Sequence, residues 1–318
     1  MSGPLTNMSD GKFQLELVNR AIDRGAIILA TVSSGLVPFD AQVGGISSHK
    51  KIFLRLEPSY VLKPLRLDHR KVREIGFYDL VNDLADRSNQ KLSNQKDLFS
   101  SLSTFVPKYY GVAKVKRDQL DTSAVTGEED AEYIILEDLT RNYSKPCIID
   151  VKMGTQSFEP DASDEKKLKE AGKYPQQTDF GLRIVGMRVY NPSNANANDD
   201  GYVHYSKHFG RSLNTRCKLK EAFRAFIGTR GNGESISNVL EQLEEIKAWF
   251  LKNNYFGFYS SSIMIVYEGD EDKESSPPIV KMIDFARVRR QRGGDEGYLL
   301  GLNTLATLLH EIVCESQN

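Results

Sequence analysis

The spacing of apolar residues changes along this chain. In the first half they come in short β-prone runs, "AIILATV" (26–32), "KIFLRLE" (51–57) and "YVLKPL" (60–65), separated by Gly, Pro and Ser. "FDAQVGGIS" (39–47) sets Gly44-Gly45 between two strand-like segments as a turn. The basic stretch 66–88 reads as a helix, and the polar stretch 89–103 as a loop. Further strands are predicted over 133–139, 146–153 and 181–192, with a polar, Lys-rich segment at 155–179 and a turn or loop at 193–201. The second half turns helical. Ile236, Val239, Leu240, Leu243, Ile246 and Phe250 recur at helical spacing, as do Leu302, Leu305, Leu309 and Ile312. Between these helices, 260–269 and 278–288 read as a hairpin joined by an acidic loop. Strand-rich first and helix-rich later predicts an α+β protein of two lobes.

Composition narrows this picture. The 318 residues suffice for two domains or one large two-lobed one, and 40% hydrophobic with 27% charged residues is a globular balance. A net charge of −1 argues against nucleic acid as a partner, and no obligate protein partner is evident. Cys147, Cys217 and Cys314 show no C-x-x-C spacing, which fits a reducing compartment, cytoplasm or nucleus. Among five histidines only His204 and His208 are four apart, without a third ligand. The N-terminus lacks an apolar core and does not read as a signal peptide. No run approaches the roughly 18 apolar residues of a membrane span.

Four charges fall inside apolar strand-like runs: Lys63 in "VLKPL", Asp150 and Lys152 in "IIDVKMG", and Asp284 in "MIDFARV". Asp150 and Lys152 are two apart, so they share one face of a strand. Buried charge needs a partner or a ligand. Each one alone is explained by a structural ion pair or a strand edge. Together, two lysines and two aspartates in the order used by phosphotransferases point to a nucleotide–metal site. A lysine holds phosphates as a point charge, and an aspartate holds Mg2+.

Basic residues also cluster. Lys166, Lys169 and Lys173, with Lys167 beside them, share a helix face, as do Arg66, Arg70 and Arg73, and Lys207 and Arg211 are four apart. Solvated helix faces explain any one cluster. Three of them in a near-neutral chain point to a highly anionic acceptor.

These residues fall in motifs that resemble the inositol polyphosphate kinase family. "PCIIDVKMG" carries its Pro-x-x-x-Asp-x-Lys-x-Gly signature at Pro146, Asp150, Lys152 and Gly154. "SSSIMIV" resembles its Ser-Ser-Leu-Leu segment, and "MIDFA" its Ile-Asp-Phe motif. "QVGG", "VLKPL", "FVPKYYGV" and "DEGYLLGL" match as well, collinearly from about residue 37 to the C-terminus. Protein-kinase His-Arg-Asp and Asp-Phe-Gly motifs are absent.

The resemblance implies a two-lobed fold, protein-kinase-like or ATP-grasp-like, with ATP between an antiparallel N-lobe sheet and a larger C-lobe. It implies an N-terminal segment at 1–36, an N-lobe at 37–139 ending in a hinge, and a C-lobe at 140–318 with an inositol phosphate-binding segment at 155–180. It further implies that Lys63 binds ATP phosphates, that Glu137 and Leu139 offer hinge contacts, and that Ser260 to Ser262, Ser261 among them, line the nucleotide site. Asp284 is implied to bind Mg2+, Lys152 to stabilise the transferred phosphoryl group, and Asp150 to contact ribose, acceptor or both. Lys166, Lys167, Lys169 and Lys173 are implied to face the inositol phosphate, with Arg70, Lys207, Arg211 and Arg287 as further candidates. The short 155–180 segment disfavours the trisphosphate 3-kinase branch. "FYSSS", "GMRVY" and "HFGRSL" favour hexakisphosphate kinases, which make diphosphoinositol phosphates, over multikinases acting on the hydroxyls of lower phosphates such as the trisphosphate. A non-catalytic inositol phosphate sensor is a third reading, disfavoured because Lys63, Lys152 and Asp284 are all present.

Overall fold

The computed structural model describes residues 15–22, 25–32, 36–43, 52–56, 59–66, 68–86, 94–115, 131–194, 198, 200–228, 233–270, 272–273 and 276–316. The Gly44-Gly45 turn lies outside them. Seven strands make the first of two compact units: β1 (Leu15–Ile22), β2 (Gly25–Val32), β3 (Leu36–Pro38), β4 (Leu54–Leu56), β5 (Tyr60–Pro64), β6 (Tyr109–Val115) and β7 (Ala131–Glu137). They form one sheet in the order β1-β2-β6-β7-β5-β4-β3. The sheet is not wholly antiparallel as expected, because β2 pairs parallel with β6. A parallel neighbour requires a long crossover, and here the connection runs through β3, β4 and β5 and two helices of the second unit. The 1–36 segment is likewise not separate, since β1 and β2 extend this sheet. Leu54, Leu56, Leu62, Ala113, Val115, Tyr133 and Ile135 form the core on one of its faces. Lys63 alternates to the other face.

The second unit holds α1 (His69–Asp86), α2 (Asn94–Phe105) and everything from Leu139 onward. A single N-lobe over 37–139 is therefore corrected: α1 and α2 belong with the C-terminal elements. The predicted loop at 89–103 is corrected too. Leu98 and Leu102, four apart, are buried, and Trp249 Nε1 donates to Leu98 O at 2.6 Å. The polar residues that disguised α2 satisfy themselves locally, because Ser101, Ser103 and Thr104 each donate to the carbonyl three residues back.

A five-stranded sheet lies at the centre of this unit. Its order is β10 (Tyr202–Tyr205), β9 (Leu182–Tyr190), β8 (Pro146–Met153), β12 (Ser262–Glu268) and β13 (Ile279–Ile283), all neighbours antiparallel. The 260–269 and 278–288 hairpin is present as β12 and β13. Short strands β11 (Phe256–Phe258) and β14 (Val288–Arg290) pair separately. The helices are α3 (Asp164–Ala171), α4 (Gln177–Phe180), α5 (Lys207–Ser212), α6 (Arg216–Ile227), α7 (Gly233–Lys252) and α8 (Glu296–Ser316). His204 lies on β10 and His208 on α5, so their spacing is not that of one helix face.

Helix α8 is long and apolar enough to cross a membrane by length and composition. Here Leu302, Leu305, Leu308, Leu309 and Ile312 are buried in the core of the second unit. Its approach to the sheet is close enough to require glycines. A Cβ on Gly301 would stand 2.2 Å from Gly181 O, and one on Gly181, at φ +65°, would stand 2.5 Å from Gly301 N. Gly181 O also accepts from Gly154 N at 2.8 Å, which ties the end of β8 to the same contact.

A carboxylate organises the chain that leaves β8. Glu159 is buried and accepts from Arg289 Nε at 3.0 Å and Nη2 at 2.9 Å, and from Arg73 Nη1. Lys166 Nζ lies 3.8 Å from its other oxygen. Burial pushes the Glu159 pKa up, but Arg289 and Arg73 outweigh it and hold it below the usual value.

Two outcomes are expected. Gly301→Ala, which forces backbone apart, will destabilise the fold by about 1–3 kcal/mol, read as a lower thermal midpoint. For Glu159 the depressed pKa gives stability present above the unfolded glutamate value, about 4.3, and lost as pH falls through the folded one. Acid unfolding will therefore be less steep below about pH 4.3 in Glu159→Gln. The same variant will lose about 1–2 kcal/mol at neutral pH, because its arginine partners are partly solvated. An unchanged urea midpoint at pH 7 would contradict this.

Candidate active site

β8 is the middle strand of the second sheet, so its charges have neighbours on both sides. Cys147, Ile149, Val151 and Met153 occupy one face and are fully buried. Met153 meets α8 at Gly301. Asp150 and Lys152 occupy the other face, as the spacing predicts. Gly154, the last residue of the signature, has φ 92°, a conformation that only glycine adopts cheaply.

Lys152 is half-buried. Its Nζ donates to Ser260 Oγ at 2.7 Å and to Ser260 O at 3.2 Å. Burial drives its pKa down, the Asp284 and Asp150 carboxylates oppose this, and Arg183 and Arg287 add to it, with a lowered pKa as the result. Asp150 is 4% exposed. It faces Met264 on β12 and Gly186 on β9, and the β8–β9 register shifts between Asp150 and Val151. The shift is a bulge on β9, and it sets a residue without a side chain beside the carboxylate.

Asp284 does not lie within a strand, as the sequence suggested. It follows the end of β13 with φ 67°, and Ser260, just before β12, has φ 63°. They are the only non-glycine residues with positive φ among the described residues. Both turns are pinned by aromatic packing. Phe285, next to Asp284, is fully buried with its ring 4.3 Å from Phe77, and Phe258, two before Ser260, lies 5.8 Å from Phe77.

The three serines implied to line the nucleotide site take different positions. Ser261 is fully buried, its hydroxyl has no hydrogen-bond partner among the described residues, and its carbonyl accepts from Met153 N at 3.0 Å. Ser260 is the residue that meets Lys152. Lys63, on β5, and Glu137, at the end of β7, lie in the first unit, whereas Leu139 is buried at the start of the second.

The basic candidates form a charge network rather than a bare patch. Ser163 caps α3, accepting from Lys166 N. Lys166 pairs with Glu159, Lys167 with Asp164 at 3.6 Å, and Lys169 is exposed. Lys173 lies beyond the end of α3, so it does not extend that face, and it pairs with Glu170. Burial raises the Glu170 pKa, but the Lys173 hydrogen bond and charge, with Arg287 and Arg183, together outweigh it. Arg66 precedes α1, and Arg70 Nε donates to Asp68 at 2.9 Å. Arg287 Nη1 donates to Ser157 O. On α5, Lys207 is exposed and Arg211 half-buried. Arg183 was missed by sequence reasoning. It stands directly across from Lys152 on β9, 8% exposed, and the signal was available, a charge inside the apolar run "GLRIVGM".

The family model described as inositol polyphosphate kinase matches residues 133–310. Human inositol polyphosphate multikinase is 33% identical over 255 residues, which cover 79% of this chain and 55% of that protein. Mouse inositol hexakisphosphate kinase 3 is 31% identical over 206 residues, 57% of this chain and 50% of that protein. The chain thus spans about half the length of the curated relatives it matches. The inositol phosphate multikinase of S. cerevisiae, solved in complex with ADP and Mn2+, shares the fold with a TM-score of 0.60 at 22% identity, covering 80% of this chain and 100% of that one. A second solved inositol phosphate multikinase gives 0.52 at 27% identity, over 75% of this chain and 99% of that one. The likeness makes the fold a two-lobed, kinase-like one. With its signature residues on one strand face and more than half of its length within the family model, the chain belongs to the inositol polyphosphate kinase family.

Proposed function

We propose that the protein is an ATP-dependent inositol phosphate kinase that phosphorylates a ring hydroxyl of a lower inositol phosphate such as the trisphosphate. The observation that carries this is the grouping of Asp150, Lys152 and Asp284 around one strand face, with Arg183 and Arg287 acting on the same lysine. The sequence motifs favoured hexakisphosphate as acceptor. Two observations favour the hydroxyl acceptor instead. Multikinases match at 33–34% identity over 79% of the chain, against 31% over 57–58% for hexakisphosphate kinases. In addition, Glu159, Glu170 and Asp68 already neutralise much of the basic cluster, which suits an acceptor with fewer phosphates.

In this reading a ring hydroxyl attacks the γ-phosphorus of ATP. The new ester O–P bond forms as the bond to the ADP oxygen breaks, and the hydroxyl proton passes to the buried Asp150 carboxylate. Lys152, steadied by Ser260, neutralises the charge on the group in transfer. Lys63 contributes to phosphate binding, and Glu137 and Leu139 to adenine binding. Among the described residues no three His, Cys, Asp or Glu side chains gather as a metal cage. That fits Mg2+, which binds through one or two carboxylates and phosphate oxygens. Asp284 is the residue that would hold it, and the ion would supply charge neutralisation on the polyphosphate.

With Mg-ATP and the trisphosphate, 31P NMR is expected to show new phosphate monoester signals, formed faster than any diphosphate from hexakisphosphate. A diphosphate from hexakisphosphate as the faster product would move the chain to that branch, and no product from either would end the kinase reading. Lys152→Met and Asp284→Asn are each expected to lower kcat by about 10²–10³-fold without unfolding the protein. Asp150→Asn is expected to lower turnover of a hydroxyl acceptor, and equal turnover on every acceptor would contradict its role.

A further inference from the structure

Arg183 sits in the apolar strand β9 and is 8% exposed. Its Nη1 atom has no hydrogen-bond partner among the described residues. A buried, unsatisfied guanidinium is costly, and arginine does not escape the cost by losing its proton. Its register partner is Lys152, so the side chain shares the face that carries Asp150 and Lys152. A second cation stands next to it. Helix α5 presses its backbone onto β9 so closely that a Cβ on Gly210 would fall 1.9 Å from Ile184 O. Arg211 and Arg183 are the residues beside these two contact points, and their like charges act on one another. Two carboxylates act on it, Glu170, which is engaged by Lys173, and Asp150 on the shared face.

We propose that Arg183 is a further acceptor-binding residue, which with Arg211 holds the acceptor phosphate nearest to the site of transfer. Two neighbouring guanidinium groups suit a phosphate dianion, which each can meet through paired N–H donors. The register sets Gly186, which carries no side chain, opposite Asp150 on the same face. The proposal rests on the kinase reading and adds to it a determinant of acceptor affinity that is separate from ATP binding.

Binding without turnover tests it. Inositol 1,4,5-trisphosphate and, separately, ADP are titrated calorimetrically into wild type, Arg183→Leu and Arg183→Lys, with Arg216→Leu as an exposed charge control. Arg183→Leu is expected to weaken trisphosphate binding by about 10- to 100-fold, and Arg183→Lys by less. ADP affinity is expected to stay unchanged in both. The thermal midpoint of Arg183→Leu is expected to hold or rise, because its buried Nη1 donates to no described group. Unchanged trisphosphate affinity, a parallel loss of ADP affinity, equal losses in Arg216→Leu, or no trisphosphate binding by wild type would each overturn the proposal. Kinase failure is read separately, as binding without any phosphorylated product.

Discussion

A cation on the central strand of a buried sheet is the constraint around which the second unit is arranged. Taking an ammonium out of water costs several kcal/mol unless its surroundings answer the charge. Lys152 cannot move to an edge, because β8 is flanked by β9 and β12 along its length. The fold answers with the Ser260 hydroxyl and carbonyl on one side and the Asp284 and Asp150 carboxylates nearby. Burial still outweighs them and leaves the charge under strain. Such a lysine is poised to gain from an incoming phosphate, which is the difference between a structural ion pair and a site.

That arrangement depends on backbone shape as much as on charge. Ser260 and Asp284 each hold a left-handed conformation that costs an L-residue roughly 1–2 kcal/mol. What holds them there is the aromatic cluster behind, in which Phe285 and Phe258 both pack on Phe77. The third left-handed position of the group, Gly154, is unstrained because it is glycine, and it is tied through Gly181 to α8. Core packing therefore sets the three points that surround the lysine. A substitution in the aromatic cluster reaches the site through backbone angles, with no contact to substrate.

Much of this was legible in the chain. Strands with alternating or continuous apolar residues gave β8, β9 and β12, and the i, i+2 spacing put Asp150 and Lys152 on one face. Helices α7 and α8 followed from their period. The failures share one cause, the influence of distant partners on local pattern. α2 looked like a loop because its serines satisfy its own carbonyls while only Leu98 and Leu102 turn inward. Asp284 looked like a strand residue because the bend after Ile283 is imposed by where Phe285 packs. Ser260, Ser261 and Ser262 are indistinguishable by composition: the register sets Ser262 opposite the lysine, and the left-handed turn before β12 brings the Ser260 hydroxyl to its Nζ.

The basic clusters show the same principle in charge. Read along the sequence, residues 166–173 and 66–73 form two runs in which cations outnumber a single acid. In the fold, Glu159 gathers Arg73, Arg289 and Lys166 from three separate elements, Glu170 takes Lys173, and Asp68 takes Arg70. None of these acids is within hydrogen-bonding distance by sequence pattern alone except Glu170 and Asp68. Each pair lowers the positive potential a ligand would meet and fixes where the remaining charge points. Under the proposed function, selectivity among inositol phosphates depends less on how many lysines the segment contains than on which cations the carboxylates leave to the acceptor. The pairing favours geometry over bulk charge, and a site that works by geometry discriminates among acceptors of similar charge.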